Sequence, residues 1–339
     1  MNTIMINDLP STMRFAEFKG DNVIEIGTRE RPTKASGEVI LRVTRTALCG
    51  SDLKLWHKGA QHVAGHEICG VVRQPGHPLE GQHCAVYIPE HCGTCETCAA
   101  GNTQMCTEVS SLVGWNRDGG YAEWVRVPEN CLLPVPDDIP VDLAPLLLDT
   151  IGTSAHAVRE AKRHLATDTP KILITGAGPV GLGVLLALKA MGFSGVHVSD
   201  PNAARLDLAQ EFGATPHFVG SREKRFDLIV ECSGAHPARD IAIDLILPKG
   251  VIVLVGENAA PWTIHEGPVF RRKDFILLRT FYFPKGDFEP NVALLRANLD
   301  AYARLVDDRF GLDALPEKFA QFARGGLIKP VLVLDEEDR

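Results

Sequence analysis

The chain has 339 residues, too many for one ordinary core and suited to two domains of unequal size. Its formal net charge of −8 comes without any clustered basic tract, which argues against a nucleic-acid partner, because phosphate binding needs grouped Lys and Arg to displace counterions. With 45% hydrophobic and 23% charged residues, the composition is that of a globular chain and excludes a disordered or fibrous one.

The N-terminal run Met1-Asn2-Thr3-Ile4-Met5-Ile6-Asn7-Asp8 has no basic region followed by an apolar stretch, so no secretory signal is read there. Up to about residue 148, short β-branched runs are broken by Gly and Pro, as at 38–43, 70–73 and 121–127. Their spacing predicts an irregular, mainly antiparallel β domain. The pattern then changes. A helix is predicted over 151–163, followed by a continuously apolar strand over 171–175, a glycine turn and a long apolar helix. The stretch Val180 to Met191 in that helix is too short to span a bilayer and contains Lys189. Further strands are predicted at 195–200, 226–231 and 250–255, with helices near 202–212 and 237–247. Apolar strands alternating with helices indicate an α/β, doubly wound parallel sheet. The tail reads as a helix over 291–306 and a closing strand over 328–334, expected to return to the first domain. The predicted division is therefore 1–150 with 291–339, and 151–290.

Gly176-Ala177-Gly178-Pro179-Val180-Gly181 follows a predicted strand and opens a helix. In a dinucleotide site the first glycine permits the tight turn, the second lets backbone approach the pyrophosphate, and the third lets helix and strand pack closely. The helix N-terminus then favours the phosphate charge. Asp200 ends the next strand at the expected distance, where a carboxylate accepts from ribose hydroxyls and repels a 2′-phosphate, favouring NAD over NADP. Arg205 is a partial counter-argument, since an arginine there can pair with that phosphate; otherwise it is a solvated helix residue. Ser233, Val255 and Gly256, at the ends of later strands, complete the expected cofactor-binding set.

Nine cysteines, an odd number with several closely spaced, suit reduced thiols and metal binding in a cytosolic protein better than disulfide pairing. Cys92, Cys95, Cys98 and Cys106 are spaced C-x2-C-x2-C-x7-C within a lobe at about 90–108 that also holds Gly93, Gly101 and Asn102. Four thiolates this close can wrap one tetrahedral ion, and a closed all-cysteine shell suits structural zinc. An iron–sulfur cluster is the rival, without an electron-transfer context in the surrounding chain.

Cys49-Gly50-Ser51-Asp52 and Gly65-His66-Glu67 each place a possible metal ligand after a strand-like run. Together with the glycine turn and the four-cysteine loop, they resemble the zinc-containing medium-chain dehydrogenases, the family of alcohol, sorbitol, threonine and formaldehyde dehydrogenases. Gly119-Gly120-Tyr121-Ala122-Glu123 and Leu327-Ile328-Lys329-Pro330 extend the resemblance over essentially the whole chain. It implies a GroES-like, mainly-β catalytic domain beside a Rossmann domain, and a zinc- and NAD-dependent alcohol or polyol dehydrogenase. Cys49 and His66 would be catalytic zinc ligands, Asp52 would orient His66, and Glu67 would lie beside the metal or ligate it transiently. The familiar alcohol dehydrogenases take their third ligand, a cysteine, from the segment joining the domains, and none stands there in this chain. The segment Leu148-Asp149-Thr150-Ile151-Gly152-Thr153-Ser154-Ala155-His156-Ala157 instead resembles an aspartate-ligand branch, which makes Asp149 the expected third ligand, with helix capping as its other reading. His156 is read as a structural helix residue.

One thiolate, one carboxylate and a neutral imidazole would give a formally neutral zinc centre acting as a Lewis acid on the alcohol. The resemblance gives Ser51 the alcohol proton and puts Lys54 where some relatives carry a relay histidine; His57 is out of register, and water is the other candidate for the last transfer. Trp56, Trp115 and Asn116 are candidates for the substrate pocket, with core packing as their alternative. The expected substrate is a polar secondary alcohol or polyol, with sugar acids also open. Two other classes are weighed: a zinc-free reductase of activated double bonds, and a non-catalytic NAD-binding sensor. The eight residues of metal-ligand type, with Ser51 retained, speak against both. Relatives also imply a homodimer or homotetramer, while the cysteine usage, the charge and the short apolar stretch lead to the expectation of a cytoplasmic protein with neither a membrane nor a nucleic-acid partner.

Overall fold

Two left-handed residues, Asp21 (φ 50°) and Asn22 (φ 67°), close a two-residue hairpin between β1 (Thr12–Gly20) and β2 (Val23–Glu30). Such turns suit Asp and Asn because their short polar side chains tolerate positive φ. The structure, a computed structural model, describes residues 11–218, 225–264 and 266–334. After the hairpin come β3 (Glu38–Ala47), α1 (Leu53–Lys58), β4 (Glu67–Val72), β5 (His83–Val86), α2 (Glu96–Ala99), β6 (Trp124–Pro128) and β7 (Leu132–Pro134). Antiparallel pairings join β3 to β4 and β6, β4 to β5, and β5 to β7. β4 is buried along its whole length, so a short chain segment holds Glu67 firmly at its start.

A π-helical turn (Asp149–Thr153) precedes α3 (Ser154–Lys162). Next come β8 (Ile172–Thr175), α4 (Pro179–Ala190), β9 (Val196–Ser199), α5 (Ala203–Glu211), β10 (Thr215–Pro216), β11 (Phe226–Glu231), α6 (His236–Leu245), β12 (Ile246–Leu254), α7 (Pro268–Arg271) and β13 (Ile276–Arg279). The six strands form one parallel sheet in the order β10-β9-β8-β11-β12-β13. Its core gathers Leu173, Phe226, Ile229, Ala242, Ile246, Ile252 and Leu254, which is why these strands read as continuous apolar runs. α5 starts where the Asn202 side chain accepts from the amides of Ala204 and Arg205, a regular N-cap.

The tail carries α8 (Phe288–Ala297), α9 (Leu299–Ala303), β14 (Arg309–Phe310), α10 (Leu315–Ala323) and β15 (Val331–Val333). β15 pairs antiparallel with β3 and parallel with β14, closing a seven-stranded sheet. The chain divides into two units: Met1–Leu148 with Pro284–Phe288 and Ala303–Arg339, and Asp149–Phe283 with Glu289–Tyr302. The chain thus returns to the first unit briefly over 284–288 and for good at 303, not at 291. Residues 291–302 stay with the second unit, where the buried Asn291 of α8 accepts a hydrogen bond from Arg159 of α3 at 3.0 Å. No helix among the described residues is long and apolar enough to cross a membrane.

Candidate metal centres and nucleotide site

The four-cysteine lobe is built from turns and the single-turn α2, so its shape depends on what its sulfurs hold. Cys92 and Cys98 sulfurs lie 4.0 Å apart, and those of Cys95 and Cys106 lie 3.9 Å apart. Sulfurs around a tetrahedral zinc stand about 3.8 Å apart, far beyond a disulfide at about 2.0 Å. All nine cysteines are free thiols, which removes the disulfide alternative. The Thr94 and Cys95 amides donate to Cys92 Sγ at 3.4 and 3.2 Å and hold its thiol below the usual range. The Thr97 hydroxyl, 3.2 Å from Cys95 Sγ, holds that thiol down at about 4. Burial pushes the Cys98 thiol the other way, up to about 12, so it is the closeness of the four sulfurs, with two of them already held low, that fits a cation.

The second group forms where β3 ends and β4 begins. Cys49 follows β3, and a 3-10 turn (Gly50–Asp52) brings Ser51 and Asp52 back toward His66. Cys49, His66, Glu67 and Asp149 each offer one ligand atom, and these atoms all lie within 4.8 Å of one another. Asp149 adjoins Leu148 directly, so a single peptide bond ties it to the first unit. It sits in the π-helical turn, a distortion frequent at functional sites, and its Oδ1 accepts from the Thr153 hydroxyl at 2.9 Å. The following helix, α3, takes no side-chain cap. His156 is buried within α3.

His66 and Asp52 are both buried, and Asp52 Oδ1 accepts from His66 Nδ1 at 3.0 Å. That bond leaves Nε2 as the ligand atom, the usual arrangement behind a metal-binding histidine. The Ser51 hydroxyl lies 3.2 Å from Cys49 Sγ and 3.5 Å from His66 Nε2, inside the group. Glu67 Oε1 accepts from the buried Lys329 ammonium, which also donates to the Leu48 carbonyl at 3.1 Å. Lys329 stands in the Leu327–Pro330 motif, but its pairing with Glu67 across 262 positions carries no local signal in the sequence. Lys54 projects from α1 with its ammonium 5.6 Å from the Trp115 ring centre.

Of the three pocket candidates, Trp115 lies beside His66, with ring centres 5.6 Å apart. Trp56 packs on Phe319, and exposed Asn116 bonds to Leu112 N and Ser110 O, so the structure gives those two packing and turn roles. His57 bonds Asn22 of the hairpin at 2.5 Å, apart from the metal group.

In the second unit, the cofactor candidates lie at the carboxyl ends of the parallel strands, where open α/β sheets bind ligands. Gly176, after β8, has φ 94°, and a Cβ on it would come within 2.9–3.0 Å of Ser233. A Cβ on Gly181 would meet the Gly176 carbonyl oxygen at 1.8 Å, so helix and turn pack at a distance only glycine permits. Gly178 faces open space, leaving room at the α4 N-terminus, where Pro179 takes the first helical position and Val180 follows. Asp200 closes the arrangement, accepting from Ala177 N at 2.6 Å and Asn202 N at 2.8 Å. Val255 and Gly256 donate their amides to the Glu231 carbonyl at 2.8 and 2.9 Å. The Glu231 side chain, fully buried and not anticipated, accepts from Ser233 N, Ser233 Oγ and Gly234 N, and from Arg239. The close packing at Gly176 and Gly181 and the open space at Gly178 leave room at the α4 N-terminus of a kind that suits a phosphate group.

A mainly-β unit with a four-thiolate loop and a six-stranded parallel sheet with a glycine turn are the two parts of a medium-chain dehydrogenase fold. Residues 35–137 match the alcohol dehydrogenase GroES-like domain, and residues 179–297 match the zinc-binding dehydrogenase family. L-threonine 3-dehydrogenase of Sinorhizobium fredii is 30% identical over 330 residues, covering 89% of this chain and 92% of that protein. The same-named protein of Paraburkholderia phymatum is 30% identical over 338 residues, covering 89% and 94%. In fold, the chain superposes on an alcohol dehydrogenase of Thermus sp. ATN1 with TM-score 0.87 at 24% identity, covering 95% of this chain and 100% of that one. Galactitol-1-phosphate dehydrogenase of Escherichia coli gives TM-score 0.83 at 24% identity, with the same coverage. The chain belongs to the zinc-binding alcohol dehydrogenase family and is an oxidoreductase.

Proposed function

We propose that this protein oxidises a polar secondary alcohol or polyol to its carbonyl compound with NAD, carrying one catalytic and one structural zinc per chain. The observation that carries the proposal is the convergence of Cys49, His66, Glu67 and Asp149 on one small volume, with the Ser51 hydroxyl inside it. Bound there, zinc would supply Lewis acidity toward the alcohol oxygen while NAD accepts the hydride. Cys49, His66 and Asp149 would hold the ion, and Asp52 keeps His66 in the ligating tautomer. Lys329 draws Glu67 toward itself, which leaves Glu67 beside the ion as a further acceptor. Ser51 takes the hydroxyl proton of the substrate. Because the Lys54 ammonium rests over Trp115, we assign the last transfer of that proton to water. Cys92, Cys95, Cys98 and Cys106 would hold the structural ion, with no position left for substrate.

NAD is favoured by the Asp200 carboxylate, whose charge at the end of β9 would repel a 2′-phosphate. One observation supports NADP as a second reading: the Arg205 Nε is buried with no hydrogen-bond partner. Nicotinamide reduction measured with L-threonine, butanediol, sorbitol, gluconate and ethanol tests the reaction. L-threonine is the substrate named for the curated relatives and is itself a polar secondary alcohol. With the best substrate, Asp200→Ala should raise KM for NAD at least tenfold and lower it for NADP. Equal effects on both cofactors, or a larger loss of NADP use than of NAD use in the single variant Arg205→Ala, would favour the second reading. No turnover with any alcohol would overturn the proposal.

A further inference from the structure

Behind His66 the hydrogen bonding does not stop at Asp52. The Tyr121 hydroxyl donates to Asp52 Oδ2 at 2.7 Å, while Asp52 Oδ1 accepts from His66 at 3.0 Å. Tyr121 and Asp52 are completely buried and His66 nearly so. We propose that Tyr121 is a positioning residue for the catalytic metal: its hydroxyl fixes the Asp52 carboxylate, which in turn fixes the ring and tautomer of His66. The proposal rests on the assignment of His66 as a metal ligand.

A carboxylate bonded through only one oxygen can swing about its own axis, whereas one held at both oxygens presents Oδ1 to His66 in a single geometry. The tyrosine is itself held on every side. Gly65, immediately before His66, has φ 91°, and a Cβ there would fall 2.7–2.9 Å from the Tyr121 ring atoms. Glycine at this position therefore lets the ring lie against the backbone that carries the ligand. On another side Phe18 of β1 stacks on the ring, with centres 5.7 Å apart and planes 6° from parallel. The backbone joins the same clamp: Gly120 N donates to Gly65 O at 2.8 Å, Tyr121 N to Ala64 O at 3.0 Å, and Ala16 N to Tyr121 O at 2.8 Å. Burial, reinforced by the charge of Asp52, pushes the phenol well above its ordinary value, so it remains a donor throughout the working pH range. A phenylalanine would fill the same space and keep the stacking, but it could not hold Asp52. The hydroxyl, not the ring, carries the proposed role.

The test uses zinc-loaded protein and the variant Tyr121→Phe, with zinc release to a chelator followed at both sites. The four-thiolate zinc in the same molecule is the internal control. Zinc should leave the Cys49–His66–Asp149 site about tenfold faster in the variant, the scale of losing an outer partner of a ligand, with unchanged release from the four-thiolate site. Cobalt placed in the catalytic site should show shifted visible absorption bands. Phe18→Leu, which removes one side of the ring's packing but keeps the hydroxyl, should change both readouts far less than Tyr121→Phe. Unchanged release and spectrum in Tyr121→Phe would overturn the proposal, as would equal loosening of both zinc sites. A Phe18→Leu effect as large as that of Tyr121→Phe would also overturn it, by assigning the role to packing. Absence of any zinc outside the four-thiolate site would overturn the functional reading together with this one, and so is distinguishable from a failure of the hydroxyl alone.

Discussion

The two candidate metal centres are assembled in opposite ways. The first draws its four sulfurs from residues 92–106, in a lobe whose helices are the four-residue α2 and a 3-10 turn (Thr103–Met105), and where Cys92, Cys95 and Cys106 are only half-buried. The second draws on positions 49, 66, 67 and 149, and its Cys49, His66 and Glu67 are buried where the interior strands β3 and β4 end and begin. A local loop has little besides an ion to hold its sulfurs together, so metal and local fold are one equilibrium there. On our reading the distributed site would have support of its own besides an ion, from the hydrogen bonds of Asp52 to His66 and Tyr121 and of Lys329 to Glu67. Metal removal should therefore disorder the lobe while the second cluster keeps its geometry.

The largest way to break that contrast is to remove the hydrogen-bonded support of the distributed site. Lys329→Met leaves Glu67 as a fully buried charge without its ammonium, and should cost about 3–5 kcal/mol in chemical denaturation. A cost near zero would mean that the cluster is not pre-organised by this pair. The Glu67–Lys329 ion pair also shows what a sequence conceals, since nothing in the local pattern of either residue announces a partner so far along the chain.

The parts legible in the sequence are those whose physics is local. Four cysteines at short spacing, and glycines at a strand-to-helix turn, need only their neighbours to be interpreted, and both stand where their spacing placed them. Apolar runs over 171–175 and 226–231 were legible because both faces of those strands are covered. The β1–β2 hairpin is not, because its glycine, Gly20, stands before the Asp21-Asn22 pair and not at the second central position where such loops usually carry it. The predicted helix over 291–306 breaks at Asn298, whose side-chain amide donates back to the Leu294 carbonyl at 3.0 Å, a competition that periodicity does not register. The proximity of Asp149 to Cys49 and His66 was expected only through family resemblance, since no spacing rule links residues a hundred positions apart.

A smaller effect lies away from both metal groups and measures how far the sheet itself resists acid. Asp142 accepts from Arg45 at 2.6 Å and from Arg309, and Arg45 is buried in β3. Burial alone would raise the Asp142 carboxyl, but the two guanidinium hydrogen bonds outweigh it and hold the group below 3.8. A carboxylate depressed in the folded state adds stability that is complete above its unfolded value and is lost as pH falls through the folded one. Stability should thus decline below about pH 4. Asp142→Asn should cost about 1–3 kcal/mol at pH 7 and flatten that acid limb. An unchanged acid limb would show that the Arg45–Asp142–Arg309 group contributes nothing to folding.

The most direct measurement is metal content per chain, for the unaltered protein and for Asp149→Asn. The account predicts two zinc ions in the first and one in the second, the survivor held by Cys92, Cys95, Cys98 and Cys106, with dehydrogenase activity lost. One zinc in the unaltered protein, or two zinc ions and full activity in Asp149→Asn, would contradict it.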